Sequence, residues 1–299
     1  MPEPINITFL GTGAAIPNLK RHPAAILLQY GSDYMLFDCG EGTQLQMEKV
    51  RISPMKIKNV FISHWHADHF AGLLPLIETL HLSRRDKPLE VYGPEASRFI
   101  DGLIELSYWG IGFRLIPKDC GEKDIEKIFE SELYDIYSIR VKHSVPAVGY
   151  CFQEKDHWNI DVKKAEKFGL SGRKLRTIKE EGKIKVDDKI VKLEDIAIKK
   201  TGRKIVYSGD TEICKTLLEF SENADILIHD GTFVEIPEEG RPHASAVEVA
   251  KMAKKYKVKK LILTHLSRRY RSNKEVLDAV KPIFDNVIVA KDTMKITLK

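Results

Sequence analysis

Four cysteines in 299 residues, Cys39, Cys120, Cys151 and Cys214, lie far apart and form no C-x-x-C pair. Their spacing excludes a zinc knuckle and a disulfide framework, and it makes the reducing cytoplasm the expected compartment. No apolar run approaches the roughly 18 residues that a membrane span requires. The opening MPEPINITFL has no basic stretch leading into a long apolar one, so neither a signal peptide nor a membrane span is expected. Net charge is also scarce: 48 Lys and Arg against 43 Asp and Glu leave +5, too little to announce a nucleic-acid partner. The charge is unevenly spread. Residues 163–204 hold 15 basic and 7 acidic side chains, so the rest of the chain is slightly acidic.

Apolar residues make up 43% of the chain, enough for a continuous core. Short β-rich runs recur at 5–10, 24–30, 34–38, 59–63, 137–141, 204–208, 225–229, 260–264 and 286–290. Many are almost wholly apolar, as strands covered on both faces should be. Helical spacing of apolar residues marks 42–50, 71–83, 96–106, 245–256 and 274–284. The N-terminal third reads as hairpins and the remainder as alternating strand and helix. This predicts an α/β chain of two mixed sheets packed together with helices outside, a single domain over 1–299. From about Gln153 to Arg203 the sequence is Lys-rich, poorly periodic and punctuated by Gly169, Gly172 and Gly182. It reads as an arm or insertion, because so many charges could not be buried. A solvated surface subdomain without special use is the alternative.

The run with most chemistry is His64-Trp65-His66-Ala67-Asp68-His69, directly after the apolar run ending at Ser63. Imidazole and carboxylate are zinc's preferred non-thiolate ligands. His64 and His66 can reach one ion while Asp68 and His69 reach another. Four ligands cannot complete two coordination spheres, so further ligands are expected at other strand ends. His143, Asp210 within Ser208-Gly209-Asp210-Thr211, and His265 stand at such places. Gly11-x-Gly13 reads as a tight turn rather than a dinucleotide site, since Ile16 stands where the next glycine of that fingerprint belongs. His22, His81 and His157 have no ligand spacing and read as surface or packing residues. Cys39 reads as a small buried residue near the site.

H-x-H-x-D-H, an isolated His, an Asp in a G-D-T turn and a late His resemble the ligand set of the metallo-β-lactamase superfamily. Further stretches resemble ribonuclease Z: Phe9-Leu10-Gly11-Thr12-Gly13-Ala14-Ala15-Ile16-Pro17, Phe37-Asp38-Cys39-Gly40-Glu41-Gly42-Thr43-Gln44, and His143-Ser144-Val145-Pro146-Ala147-Val148-Gly149-Tyr150. So do Asp225 to Phe233 and Ala290-Lys291-Asp292-Thr293, and the likeness runs from about 5 to 298. It implies an αββα sandwich with a protruding basic arm. It also implies a zinc-dependent endoribonuclease that removes the 3′ trailer from precursor tRNA near the discriminator base, leaving a tRNA 3′-hydroxyl and a trailer 5′-phosphate.

By this resemblance His64, His66 and His143 hold one of two Zn2+ ions, Asp68, His69 and His265 hold the other, and Asp210 bridges them. Mn2+ or another divalent ion is an alternative. Asp68 orients or deprotonates the nucleophile, and His243 donates the leaving-group proton. In the family a carboxylate orients that histidine; Asp230 stands where Glu is usual, one methylene shorter. The segment 153–203 takes the place of the family's tRNA-clasping exosite, with Lys163, Lys164, Arg173, Lys174 and Arg176 as expected contacts. The family's Pro-Gly-Pro-rich tip is absent there. Pro17-Asn18-Leu19-Lys20-Arg21-His22 also departs from the usual P-x-K-x-R-N, which leaves the treatment of CCA-bearing tRNA open. Family analogy suggests a homodimer in which each arm serves the partner's site. A small-molecule phosphodiesterase or arylsulfatase of the same fold is the runner-up. A non-catalytic RNA-binding protein is disfavoured by the intact ligand set, and a β-CASP nuclease by the short interval between Asp210 and His265.

Overall fold

Alternation along the apolar runs decides which face of each strand points where, because successive strand side chains face opposite ways. The computed structural model describes residues 3–106, 110–186, 189–236 and 242–299. One sheet has the spatial order β18 (Lys295–Leu298), β1 (Ile5–Gly11), β2 (Ala25–Tyr30), β3 (Asp33–Phe37), β4 (Ile57–Phe61), β5 (Leu89–Gly93) and β6 (Leu115–Asp119). Its pairing is antiparallel as far as β3 and parallel from β3 to β6. The other has the order β17 (Val287–Val289), β16 (Leu261–Thr264), β15 (Ile226–Asp230), β14 (Lys204–Tyr207), β9 (Val148–Glu154), β8 (Tyr134–Arg140) and β7 (Ile125–Glu130). Here β14 to β17 are parallel and the remaining pairs antiparallel. Both sheets are mixed, as expected.

Ile5, Ile7 and Phe9 of β1, Phe61 of β4, Tyr150 and Phe152 of β9 and Ile226 and Ile228 of β15 meet in one buried cluster between the sheets. Their neighbours Val60, Ile62 and Leu227 face outward. On the first sheet that outer layer is completed by Leu73, Leu76, Ile77 and Leu80 of the helix Leu73–Leu82. On the second it is completed by Val249, Ala250 and Ala253 of the helix Ala246–Lys255. Four layers result, helix, sheet, sheet, helix. Ser245 starts the latter helix by accepting the Glu248 N–H at its side chain, which fixes where the preceding loop ends. Among the described residues no helix is long and apolar enough to cross a membrane.

The Lys-rich segment is better built than its sequence suggests. Two small ladders, β10 (His157–Ile160) with β13 (Ala197–Lys200) and β11 (Lys183–Val186) with β12 (Lys189–Lys192), join the short helices Val162–Lys167, Arg173–Glu181 and Leu193–Ile196. Ala165, Leu170, Ile178, Val191, Leu193 and Ile196 are buried together as a core of their own. The charges stay on the surface. Elements this short show too few repeats for a period to be visible.

Candidate metal centre

A strand that runs parallel to its neighbours delivers its following loop to the same edge as theirs, and such edges are where open α/β sheets bind ligands. The residues after β3, β4, β14, β15 and β16 are Asp38, Ser63 to His69, Ser208 to Asp210, Gly231–Thr232 and His265. β8 and β14 are both antiparallel to β9, so they share a direction, and His143 after β8 arrives at that edge too. The seven residues expected as ligands from sequence are brought together.

They form two adjoining groups. In one, the His66 Nδ1 lies 3.0 Å from the His64 Nε2 and 3.2 Å from the His143 Nε2. In the other, Asp68, His69, Asp210 and His265 each offer an atom within 4.8 Å of the rest. The His265 Nε2 is 3.2 Å from both the Asp68 and Asp210 Oδ2, and the His69 Nε2 is 3.3 Å from Asp210 Oδ2.

Surrounding groups set which ring nitrogen faces inward. Donation from His69 Nδ1 to Asp38 Oδ2 (2.8 Å), from His143 Nδ1 to the Pro242 carbonyl (2.9 Å) and from His265 Nδ1 to Thr232 Oγ1 (2.8 Å) leaves each Nε2 as a lone pair toward the centre. This is the arrangement expected behind metal-binding histidines. Asp210 Oδ1 is buried and has no hydrogen-bond partner. A carboxylate oxygen stranded that way is costly unless a cation answers it, so the donor set fits bound divalent ions.

The electrostatics agree. Burial, reinforced by the nearby His69, pushes the His64 imidazole well below its usual range, into the neutral form a ligand must have. Burial works against a proton on His69, but Asp210 and Asp38 outweigh it and hold the ring well above the ordinary histidine value. A field that favours a proton there favours a divalent cation as well. Asp68 is buried enough to raise its carboxyl, yet His265 and His69 bring it below the usual carboxylate range. Its Oδ2 also accepts the Ala15 N–H at 2.9 Å, so the loop after β1 fixes this side chain.

His243 lies alongside, its ring 5.6 Å from that of His265 and 5.4 Å from that of His143. The shorter Asp230 does reach it, with Nδ1 to Oδ2 at 2.6 Å. Burial opposes protonation of His243, but this hydrogen bond and the Asp230 charge prevail and raise its pKa. Thr232 donates to Asp230 Oδ1 at 2.6 Å and thereby links the Asp230–His243 pair to His265.

Two supporting residues, Asp38 and Thr232, carry no ligand pattern in the sequence. Asp38 is wholly buried and accepts from Ser63 N, Ser63 Oγ, His69 Nδ1 and the Tyr207 hydroxyl, while Thr232 joins the two halves of the site. The available signal was position: Asp38 is a lone carboxylate after an apolar strand, and Thr232 follows His229-Asp230-Gly231. Asp38 (φ 55°) and His265 (φ 56°) both hold left-handed backbone, which is uncommon outside glycine and asparagine and gathers at functional sites. Gly209 also needs a positive φ, and a Cβ there would stand 2.7 Å from Ser63 Cβ.

His22 is half-buried and packs against Asp292, its backbone N–H and Nδ1 both meeting Asp292 Oδ2, at 2.7 and 2.9 Å. His81 accepts the Gly112 N–H, and Cys39 is buried, its thiol pushed up to about 12 by that burial. Lys163, Lys164, Arg173, Lys174 and Arg176 are exposed on the small Lys-rich cluster, outside the hydrogen-bonded centre. Arg176 is paired with Glu180 at 2.9 Å on the exposed surface of its helix, a weak contact that a phosphate can displace.

Residues 177–266 match the family described as Beta-lactamase superfamily domain, and residues 5–98 match that of Anti-Pycsar protein Apyc1. Ribonuclease Z of Pyrococcus horikoshii is 40% identical over 99% of this chain and 96% of its own length. Ribonuclease Z of Methanosarcina acetivorans is 38% identical over 98% of each. The crystal structure of human tRNase Z, short form, superposes with a TM-score of 0.70 at 27% identity, covering 98% of this chain and 99% of that one. With the four-layered fold, the grouped histidines and carboxylates and full-length identity of this order, the chain belongs to the ribonuclease Z family, the tRNA 3′-processing endonucleases of the metallo-β-lactamase fold.

Proposed function

We propose that the protein cuts the 3′ trailer from precursor tRNA near the discriminator base, with two zinc ions held by His64, His66 and His143 and by Asp68, His69 and His265, and with Asp210 shared. The observation that carries the reading is the pair of adjoining donor groups, one ending in the unpartnered Asp210 Oδ1, set beside the His243–Asp230 pair. Imidazole and carboxylate without thiolate suit zinc, and Mn2+ or another divalent ion is accommodated by the same donors. Held by these residues, such ions would make an attacking water more acidic and offset charge building on an in-line phosphoryl transition state.

The chain's own residues supply the rest. Asp68, fixed by the Ala15 N–H, accepts the proton of the attacking water and keeps it aligned. His243, its Nδ1–H anchored on Asp230 and its pKa raised, delivers a proton from Nε2 to the departing 3′ oxygen. The water oxygen ends on the trailer as its 5′-phosphate and the tRNA keeps a 3′-hydroxyl. The basic residues of the small cluster hold the tRNA backbone through phosphate contacts. By family resemblance alone the enzyme is a cytoplasmic homodimer, which sedimentation at assay concentration tests.

The deciding experiment offers zinc-loaded protein a 3′-extended precursor tRNA and maps both new ends, beside His66→Ala. Cleavage at the discriminator base, lost in His66→Ala, is expected. Brisk hydrolysis of a small phosphodiester or aryl sulfate without precursor cleavage contradicts the reading and favours a small-molecule hydrolase.

A further inference from the structure

Two chain passages connect the Lys-rich cluster to the body, one leaving after Glu154 at the end of β9 and one returning at Arg203 before β14. Two covalent joins of this kind act as a hinge unless something locks them. Lys155 is tied to the body by its N–H on the Leu133 carbonyl at 2.8 Å and by Glu130 at 2.9 Å, and beside it sits an ion pair almost removed from solvent, with side-chain exposures of 2% for Glu154 and 11% for Arg203. Arg203 meets the carboxylate as a fork, Nη2 to Oε1 at 2.6 Å and Nε to Oε2 at 2.7 Å, and its backbone N–H adds a third bond to Oε2 at 3.0 Å. The Tyr30 hydroxyl donates to Oε1 at 2.8 Å, and the guanidinium carbon lies 5.9 Å from the centre of the Tyr30 ring.

The remaining guanidinium contacts run to the opposite sheet: Nη1 to the Leu298 carbonyl at 2.9 Å and Nη2 to the Glu3 carbonyl at 2.6 Å. One guanidinium therefore touches the root of the cluster, the edge strand β18 and the stretch leading into β1. Beside it the two passages press together. A Cβ on Gly202 would fall 1.8 Å from the Glu154 carbonyl oxygen, so only glycine permits this crossing. The Gly202 N–H reaches Asp156 Oδ1 at 3.0 Å, and Asp156 also holds Lys199 at 3.0 Å. A bidentate pair fixes direction as well as distance.

We infer that Glu154 and Arg203 are positioning residues for substrate: their clasp sets the direction of the Lys-rich cluster relative to the metal centre, so that tRNA meets a preformed platform rather than a tethered one. The inference rests on the proposed role of that cluster in holding tRNA. Neither side chain touches the metal centre, so chemistry on a substrate too small to reach the cluster is independent of the clasp. Loosening the root adds an ordering cost to each tRNA binding event, which appears in KM.

The test compares wild type, Glu154→Gln/Arg203→Met, which removes both charges together so that neither is stranded, and Arg203→Lys, which keeps charge but loses the fork. Each is assayed on 3′-extended precursor tRNA and on bis(p-nitrophenyl) phosphate, with Lys163→Glu/Lys164→Glu as a probe of the cluster. The double variant is expected to lose about tenfold in kcat/KM for precursor tRNA, through KM. Small-ester turnover should be unchanged, with Arg203→Lys between. If Lys163→Glu/Lys164→Glu raises KM but the clasp variants do not, the clasp inference alone is overturned. An unchanged KM in Lys163→Glu/Lys164→Glu overturns the tRNA-holding role and the inference with it. A parallel loss on both substrates overturns the positioning role in favour of damage to the body.

Discussion

Asp38→Asn probes the scaffold behind the metal centre with little steric change. The native carboxylate is fully buried and accepts four donors: Ser63 N at 2.7 Å, Ser63 Oγ at 2.9 Å, His69 Nδ1 at 2.8 Å and the Tyr207 hydroxyl at 2.6 Å. Asparagine tolerates the left-handed backbone at φ 55°, so strain is not added. Its amide keeps one acceptor oxygen. Whichever way it turns, its NH2 faces at least one N–H or O–H, and the charge that strengthened all four bonds is gone. At about 1.5–3 kcal/mol per bond to a charged acceptor, losing one and weakening the others costs about 3–5 kcal/mol. That corresponds to a fall of about 5–10 °C in Tm. His69 also loses the partner that turns its Nε2 inward, so metal affinity should drop about 10–100-fold. Calorimetry of the metal-free protein and competition against a chromogenic chelator read the two effects separately. Lost stability with unchanged metal affinity would show that Asp38 holds the sheets together without orienting His69; no change in either refutes the reasoning.

Thr232→Val keeps the shape of the side chain but removes the hydroxyl that serves both Asp230 and His265. Metal affinity and precursor cleavage should each fall about 10–100-fold while the fold persists by circular dichroism, and wild-type behaviour would mean the hydroxyl is incidental. Acid stability should report the clasp. Burial works against the Glu154 carboxylate, but the Arg203 and Tyr30 hydrogen bonds outweigh it and hold the group below the usual range. A depressed carboxyl contributes stability above its unfolded value of about 4.3, and the contribution disappears as pH falls through the folded value. Wild type should therefore lose Tm more steeply than Glu154→Gln/Arg203→Met below about pH 4.3, and parallel curves would contradict the assignment.

The site was more legible in the sequence than its supports. Metal ligands are chemically conspicuous: His64 to His69 follow one apolar run, and His143, Asp210 and His265 follow three others, so strand ends could be counted before any strand was seen. Asp38 and Thr232 act on ligands rather than on ions, and only the register of β3 on β4 and of β15 on β16 brings them into reach. The apolar runs mark nine strands of the two sheets to within about three residues, whereas β5, β6, β7, β9 and β18 carry no run that the pattern picks out. Glu90 interrupts β5, where Asn59 and Tyr92 satisfy its carboxylate, and Pro117 lies in β6, an edge strand that can spare a donor. In the Lys-rich segment the dense surface charge hid a core of small and aliphatic residues, because burial there depends on contacts between short elements.

The central claim, that two bound ions and His243 cleave precursor tRNA, is tested most directly by returning zinc stepwise to chelated protein. Single-turnover cleavage of a 3′-extended precursor tRNA is followed beside the bound metal counted per chain. Activity that is absent without metal and complete at two equivalents per chain, with Asp210→Asn failing to reach that plateau, is the expected result. Full cleavage by the metal-free protein, or a plateau reached with one ion per chain, contradicts the account.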